Sequence, residues 1–305
     1  MTRPTLSIGM PLYNAEEYLA DAIDSILGQN FEEFELILSD NGSTDRTAAI
    51  CKEYAEKDSR IRFFRQDENL GATPNFDFVF QQARGRYFKW AAHDDILLQG
   101  FFSACLACLE SDPTVVLACP AVAEIDQHGD LVTRYTHDID SEAEAAHVRF
   151  YEYIGKPWAY HLYGVFRTEV LAQTARIQGY SGSDNFLLAE VMLYGRMVEL
   201  PERLLHLRVH PGQSTQAHPD VYERASWFDT DKTSPLSFPR WEGVRASVRA
   251  IARAPLSASE RVKCFAQLAR WMGERSHVLA GELRDNVQRY VSSYRRPLME
   301  KQAVG

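Results

Sequence analysis

The 305-residue sequence predicts an α/β protein: a mixed, mainly parallel sheet flanked by helices, followed by a C-terminal helical extension. Three observations predict it. Over the first ~120 residues, short apolar runs alternate with segments of helical periodicity, the pattern of successive βαβ units. Those runs are mainly apolar, as buried strands of a parallel sheet are. At 45% hydrophobic, the composition suits a soluble globular core.

In order, Leu6-Ser7-Ile8-Gly9-Met10 reads as the first strand. Asn14 and Glu17 have the spacing of a capping box, before a helix whose apolar face is Leu19, Ala22, Ile23, Ile26 and Leu27. Phe34 to Ser39 is a second strand, followed by the turn 40–45 and a helix through Tyr54. Ile61 to Phe64 is the third. Pro74 is suited to the first turn of a helix running towards Ala83. Arg86 to Ala92 forms a strand that ends at His93-Asp94-Asp95, and Val115 to Cys119 a fifth. Asp126 to Asp130 reads as a hairpin turn. Ser183 is placed to cap a helix through Tyr194, and a strand pair, 197–200 and 204–209, leads into His210. Residues 216–240 read as a linker.

Beyond it two helices are expected. Val244, Val248 and Ile251 mark the apolar stripe of the first, and Arg245, Arg249 and Arg253 a basic one. The second opens at a Ser257 to Glu260 capping box and is expected to bury Val262, Phe265, Leu268 and Met272.

Net charge is −9, but Arg240 to Gly305 holds 13 Lys and Arg against 6 Asp and Glu, so this tail is +7 and residues 1–239 are −16. An acidic body argues against nucleic-acid binding; the basic tail points to an anionic surface, with membrane contact as one reading and a solvated face as the other. No apolar run nears the ~20 residues needed to span a bilayer. The N-terminus enters the first strand without a signal-peptide core, so a cytoplasmic protein is expected. Five cysteines form no dense framework. Cys105 and Cys108 make a CxxC inside an apolar helical run, where packing outweighs zinc or redox chemistry.

Open α/β sheets bind ligands beyond the carboxyl ends of their strands. Three such ends carry unusual polar groups: Pro11-Leu12-Tyr13-Asn14, Asp40, and Asp94-Asp95. No GxGxxG follows the first strand and no P-loop occurs, which disfavours dinucleotide and triphosphate sites. A Tyr for base stacking, an Asp to accept a pyrimidine N–H and adjacent carboxylates for a sugar hydroxyl and a hard cation together describe a nucleotide-diphosphate site.

At this point the chain resembles glycosyltransferase family 2, whose members have the GT-A fold. The resemblance rests on Met10 to Asn14 with Ser25 to Gln29, on Leu38-Ser39-Asp40-Asn41-Gly42-Ser43-Thr44-Asp45, and on Asn69-Leu70-Gly71 with Asn75. It continues through Ala83 to Tyr87 into His93-Asp94-Asp95, then Gly182-Ser183-Asp184 and Arg208-Val209-His210-Pro211-Gly212. It implies a GT-A domain over 1–215, with a nucleotide-binding half (1–120) and an acceptor half (121–215), and a helical extension over 241–305. Carried over by matched position, it implies that Pro11, Tyr13, Asp40, Asn69, Asn75 and Asp94 surround base and ribose. It also implies Asp95 and His210 at a divalent cation, Mn²⁺ or Mg²⁺, and Asp184 as general base. The implied reaction is inverting transfer of a sugar from a nucleotide-diphosphate donor, UDP first, to a hydroxyl of a glycan or lipid-linked acceptor, with no nucleic acid involved. The cytoplasmic reading then extends to the inner face of the membrane, through the basic helices.

The sequence departs from the family's pattern at His93, at Asn41 and at Ser183, where the family often has acidic residues. His93 reads as a metal ligand or a structural histidine. Trp158, Tyr160, His161 and Tyr163 read as an acceptor platform or as core. Asp184 taken alone is equally a helix-terminal charge. A nucleotidyltransferase and a non-catalytic nucleotide-sugar-binding protein are the rival functions.

Overall fold

The computed structural model describes residues 3–134, 139–213 and 236–302, with side chains left out at 134 and 292–302. Its framework is one nine-stranded sheet in the order β3-β2-β1-β4-β8-β6-β9-β5, with β7 paired to β6. The first four strands, β1 (Leu6–Leu12), β2 (Phe34–Asp40), β3 (Ile61–Arg65) and β4 (Tyr87–Trp90), are parallel throughout. The second half mixes directions: β6 (Val115–Ile125) runs parallel to β9 (Arg196–Arg208) and antiparallel to β7 (Leu131–Arg134) and β8 (Val165–Arg167), while β5 (Ile96–Leu97) pairs antiparallel with β9.

Burial on both faces explains the apolar runs. Leu6, Ile8, Met10 and Leu12 of β1 pack with α1 (Leu19–Leu27) and α4 (Phe101–Ser111), whereas Gly9 faces Val79 of α3 (Ala72–Gln81). A Cβ at Gly9 would lie 2.7 Å from Val79 Cγ2, so glycine is what lets α3 lie this close. Pro11 sits in β1 without breaking a ladder, because the pairing of β1 with β4 ends at Gly9.

Several local expectations are corrected. Asn14 does not cap α1. It adopts a positive φ of 48°, and its Oδ1 accepts from Thr44 N at 3.0 Å, tying the β1 loop to the turn that precedes α2 (Thr47–Lys57). Ser183 is the first residue of α7 (Ser183–Val191) rather than its cap, which is Gly182 at φ 85°. The expected strand pair 197–200 and 204–209 is one bent strand, β9. Both segments pair with the same long β6, and register shifts around Pro120 to Val122 absorb the bend. The hairpin turn holds: Asp126 N donates to Asp130 O at 2.9 Å and Gly129 has φ 91°.

Three C-terminal helices follow rather than two: α8 (Pro239–Arg253), α9 (Ala258–Glu274) and α10 (Ser276–Gln302). They belong to the main core, where Val244, Ile251, Leu268, Trp271 and Leu279 pack with α5 (Ala146–Gly155) and α7. The buried stripe of α8 runs through Gly243, Val244, Ser247, Ala250 and Ile251, three of them small enough to allow close approach, and leaves Val248 outside. On α9 it runs through Cys264, Leu268 and Trp271, so Val262 (68% exposed) and Phe265 (37%) face outward, against expectation. Ser257 does cap α9, its Oγ accepting from Glu260 N at 3.2 Å. Glu260, however, turns its carboxylate to His147 instead of completing the box. Most of 216–240 lies outside the described residues, but its end, Pro239 and Arg240, forms the first turn of α8.

Candidate active site

The strand order 3-2-1-4 reverses direction between β1 and β4, and a crevice opens where two such neighbours send their chains to opposite faces. A cavity of about 850 Å³ lies there. One wall comes from the β1 loop (Pro11, Tyr13, Asn14), from Asn41, and from Asn69 and Asn75 at the start of α3. The floor is His93-Asp94-Asp95, and the far wall is Tyr160, Tyr163, Asp184, Phe186, His210, Arg240 and Trp271. Eight of the nine residues expected at the site therefore line one cavity, although they span 200 positions of sequence from Pro11 to His210.

Asp40 is the exception. It is fully buried behind the wall: Oδ1 accepts from Ser43 N at 3.0 Å, holding the turn, and Oδ2 lies 3.3 Å from Arg65 Nε without a hydrogen bond. Asn69 and Asn75 line the cavity but are also structural braces. Asn69 Oδ1 accepts from Asn41 Nδ2 and Gly71 N, both at 2.9 Å. Asn75 accepts from Ser39 Oγ at 2.6 Å and donates to Ser39 O at 3.0 Å, locking α3 onto the end of β2. Tyr13, 44% exposed, presents its ring at the mouth.

The floor is held by β9. Arg208 N donates to Asp95 Oδ1 at 3.1 Å, and Arg208 Nε to Asp94 O at 3.0 Å. The guanidinium stacks 4.6 Å over Tyr18, whose ring meets His210 edge-on at 4.8 Å. His210 Nε2 lies 3.0 Å from Asp94 Oδ2. Burial raises the Asp94 carboxyl, but the His210 hydrogen bond and the charges of His93 and His210 outweigh it and hold it below the usual carboxylate range. Asp95 goes the other way. Burial and the charge of Asp94 hold it well above that range, against the Arg208 backbone N–H and the cations Lys89 and Arg208. Two carboxylates this close resist ionising together, so one of them retains a proton preferentially. Burial lowers the His93 imidazole from its ordinary value, against the field of Asp94.

Among the described residues no group of three or more His, Cys, Asp or Glu is arranged to enclose a metal ion. The donor set fits a different kind of cation site. Mg²⁺ is commonly bound through one or two carboxylates, the remaining ligands being water and substrate phosphate. Asp95 supplies one such carboxylate, and no hydrogen bond among the described residues occupies its Oδ2.

The expected aromatic cluster divides. Tyr160 and Tyr163, in the 3₁₀ turn Ala159–Tyr163, line the cavity, with Trp158 edge-on to Tyr160 at 5.1 Å. His161 is buried in the core, 3.0 Å from Glu199 Oε2 and 3.1 Å from Tyr153 OH. Asp184 occupies the first turn of α7 and lines the cavity, so the helix-terminal and site readings describe the same position.

Three contributors lay beyond the sequence reading. Arg208 was visible only as part of the Arg-x-His element, and its role as brace of Asp94 and Asp95 depends on β9 folding beside β5. Arg240 fell inside an expected linker. Trp271 belongs to α9, the second helix after the last strand, and no motif marks it.

The family model for glycosyl transferase family 2 matches residues 7–173, more than half of the chain. The chain belongs to this family. Among relatives, it is 38% identical over 98 residues to the Bacillus subtilis minor teichoic acid biosynthesis protein GgaB, covering 32% of this chain and 11% of that protein. It is 31% identical over 137 residues to the glycosyltransferase MJ1057 of Methanocaldococcus jannaschii, 44% of this chain and 47% of the relative. The aligned stretches thus span less than half of these relatives. Among solved structures, S. aureus TarS 1–349 in complex with UDP-GlcNAc superposes with a TM-score of 0.65 at 17% identity, covering 93% of this chain and 81% of that one. The Pyrobaculum calidifontis mannosyltransferase PcManGT, in complex with GDP-Man and Mn²⁺, gives 0.53 at 16%, covering 95% and 88%. These likenesses bear out the GT-A architecture with its C-terminal helices.

Proposed function

We propose that this cavity binds a nucleoside-diphosphate sugar and transfers the sugar, with inversion, to a hydroxyl of a glycan or lipid-linked acceptor. The observation that carries the reading is the convergence of Pro11 and Tyr13, the Asp94-Asp95 floor and Asp184 on one crevice where the strand order reverses. Tyr13 offers a face to the base, with Asn69 and Asn75 bracing the wall behind it. Uridine diphosphate is the proposed carrier. It rests on the UDP-GlcNAc held by TarS, since Asp40, the acceptor expected for a uracil N–H, is buried behind the wall.

Asp94 is assigned to ribose and Asp95 to a divalent cation, with His210 holding Asp94 in position. When bound, such a cation supplies Lewis-acid stabilisation of charge on the leaving diphosphate. Asp184 takes the proton of the attacking hydroxyl from the opposite side of the cavity, which requires an approach of about 2.6–3.2 Å. No covalent intermediate is needed, since one base and one leaving group complete the exchange.

The test is Asp184→Asn. With a panel of nucleotide-sugars and Mn²⁺ or Mg²⁺, the variant is expected to lose about 10²- to 10⁴-fold in turnover while binding nucleoside diphosphate as the parent does. Near-normal turnover would remove Asp184 from the reaction. Release of pyrophosphate, rather than nucleoside diphosphate, would replace the reading by nucleotidyl transfer. Donor binding without transfer or hydrolysis would leave a binding protein.

A further inference from the structure

The C-terminal helices bring a cation to a cavity otherwise edged by acids. Arg240 is the one Lys or Arg among the described lining residues, against Glu17, Asp94, Asp95 and Asp184. It stands on the Asp184 side: α8 packs on α7 so closely that a Cβ at Gly243 would lie 2.0 Å from the Phe186 ring, and Phe186 meets Trp271 edge-on at 6.3 Å. The segment leading to it is fixed by α10. Ser237 N donates to Asn286 Oδ1 at 2.9 Å, and Asn286 Nδ2 donates back to Ser237 O at 2.7 Å. Glu282, fully buried, accepts from Arg240 N and Trp241 N, both at 3.1 Å.

Glu282 is therefore engaged in capping α8. The Arg240 guanidinium reaches it only as an ion pair at 3.5 Å and donates no side-chain hydrogen bond among the described residues. Trp271 lines the same cavity, is nine-tenths buried, and its indole N–H has no acceptor among the described residues. A buried donor left unanswered is destabilising, and a ligand that supplies the acceptor relieves it. A planar guanidinium on a rigid base suits a two-oxygen anion better than a neutral hydroxyl.

Building on the transferase reading above, we propose that Arg240 and Trp271 form an acceptor subsite for an oxyanion, so that the acceptor carries a phosphate or carboxylate close to the attacking hydroxyl. Asp184 then receives the proton from a hydroxyl that this anion orients. The carboxylate-rich remainder of the cavity keeps the anion from drifting towards the donor half.

The test uses the full chain saturated with UDP and Mg²⁺, so that the diphosphate position is filled. Glycerol 3-phosphate, glucuronate and glycerol are titrated in turn by saturation-transfer NMR. Glycerol 3-phosphate or glucuronate is expected to bind saturably and glycerol not, the binding anion identifying phosphate or carboxylate as the group. Arg240→Gln is expected to weaken that anion about tenfold or more, as loss of a charge-assisted bond does, with UDP affinity changed less than about twofold. Trp271→Phe keeps the ring packing and removes the N–H. It is expected to weaken the anion by about threefold or more, and it carries the comparison if Arg240→Gln does not fold. Equal binding of glycerol, no anion binding beside UDP, or unchanged affinity in folded variants would overturn the subsite. A parallel loss of UDP affinity in Arg240→Gln would overturn it too, by assigning Arg240 to the donor diphosphate. Failure of UDP to bind the parent protein would instead sink the transferase reading on which the subsite depends.

Discussion

At the scale of single residues, Lys89 shows what the site's placement costs. Its amine is buried beneath the cavity floor, donating to Tyr163 O and lying 4.5 Å from the Phe101 ring. Burial lowers it to about 8, against the opposing fields of Cys119, Cys105 and Asp95. Between pH 8 and the ordinary lysine value near 10.4, the unfolded chain holds this proton and the folded protein releases it. The unfolded state then binds more protons, so the Lys89 contribution to stability improves as pH rises through that window; below it the charge is a fixed penalty. Lys89→Met is therefore expected to be more stable than the parent at pH 7, by about 1–3 kcal/mol. The gap should narrow towards pH 10.4, as urea unfolding at several pH values in EDTA will show. A gap constant with pH would mean that Lys89 does not titrate in this window.

The same scale explains which site residues were legible. Asp94, Asp95, Asp184 and His210 stand in short ordered motifs, so their order along the chain announces them. Asp40 stands in such a motif too, yet the structure buries it behind the wall, because its nearest partners, Ser43 N and Arg65 Nε, draw it into the turn. Motif membership identified the neighbourhood and left open which atoms face the cavity.

Among elements, strands were legible because burial on two faces leaves an apolar run, and helix α8 was legible in existence and in part of its face. Val244 and Ile251 are buried as expected, but Gly243, Ser247 and Ala250 of the same buried face are too small to register as a hydrophobic stripe. The sharpest consequence is Gly243→Ala. The added methyl meets the Phe186 ring at 2.0 Å, so helix or ring must shift, at a cost of about 1–3 kcal/mol for overpacking. Because Phe186 is two residues from Asp184, the substitution is also expected to lower turnover more than it lowers UDP affinity. Thermal unfolding and a KM-against-kcat comparison check this, and an unperturbed Tm would contradict the contact. Helix α10 escaped the sequence reading for a related reason. Beside Leu279, its inward face carries Glu282 and Asn286, polar residues buried to hold the start of α8, so hydrophobic periodicity finds no stripe there.

For the whole molecule, the C-terminal helices are part of the core rather than an appendage. The basic surface expected of them is partly spent internally: Arg253 pairs with Glu190, Arg245 with Glu242, and Arg261 donates to the Ile251 and Ala254 carbonyls. No helix among the described residues is long and apolar enough to cross a membrane. A chain ended after Gln213 would expose the faces of α5 and α7 that now cover Val244, Ile251, Leu268 and Trp271. It is expected to lose cooperative unfolding as well as the Arg240 wall of the cavity. A truncated chain with a sharp, parent-like transition would show that the sheet is self-sufficient.

The central claim is that the Asp94-Asp95 floor binds a nucleoside diphosphate through a cation. Calorimetric titration of UDP, with and without Mn²⁺, into the parent and Asp95→Asn between pH 5.5 and 8 tests it most directly. Binding is expected to require the cation. Because Asp95 is held above the usual carboxylate range, affinity is expected to weaken on acidification before an ordinary carboxylate would titrate, and Asp95→Asn to lose about tenfold or more in affinity. UDP binding of equal strength without Mn²⁺, unaltered by pH and by Asp95→Asn, would contradict it.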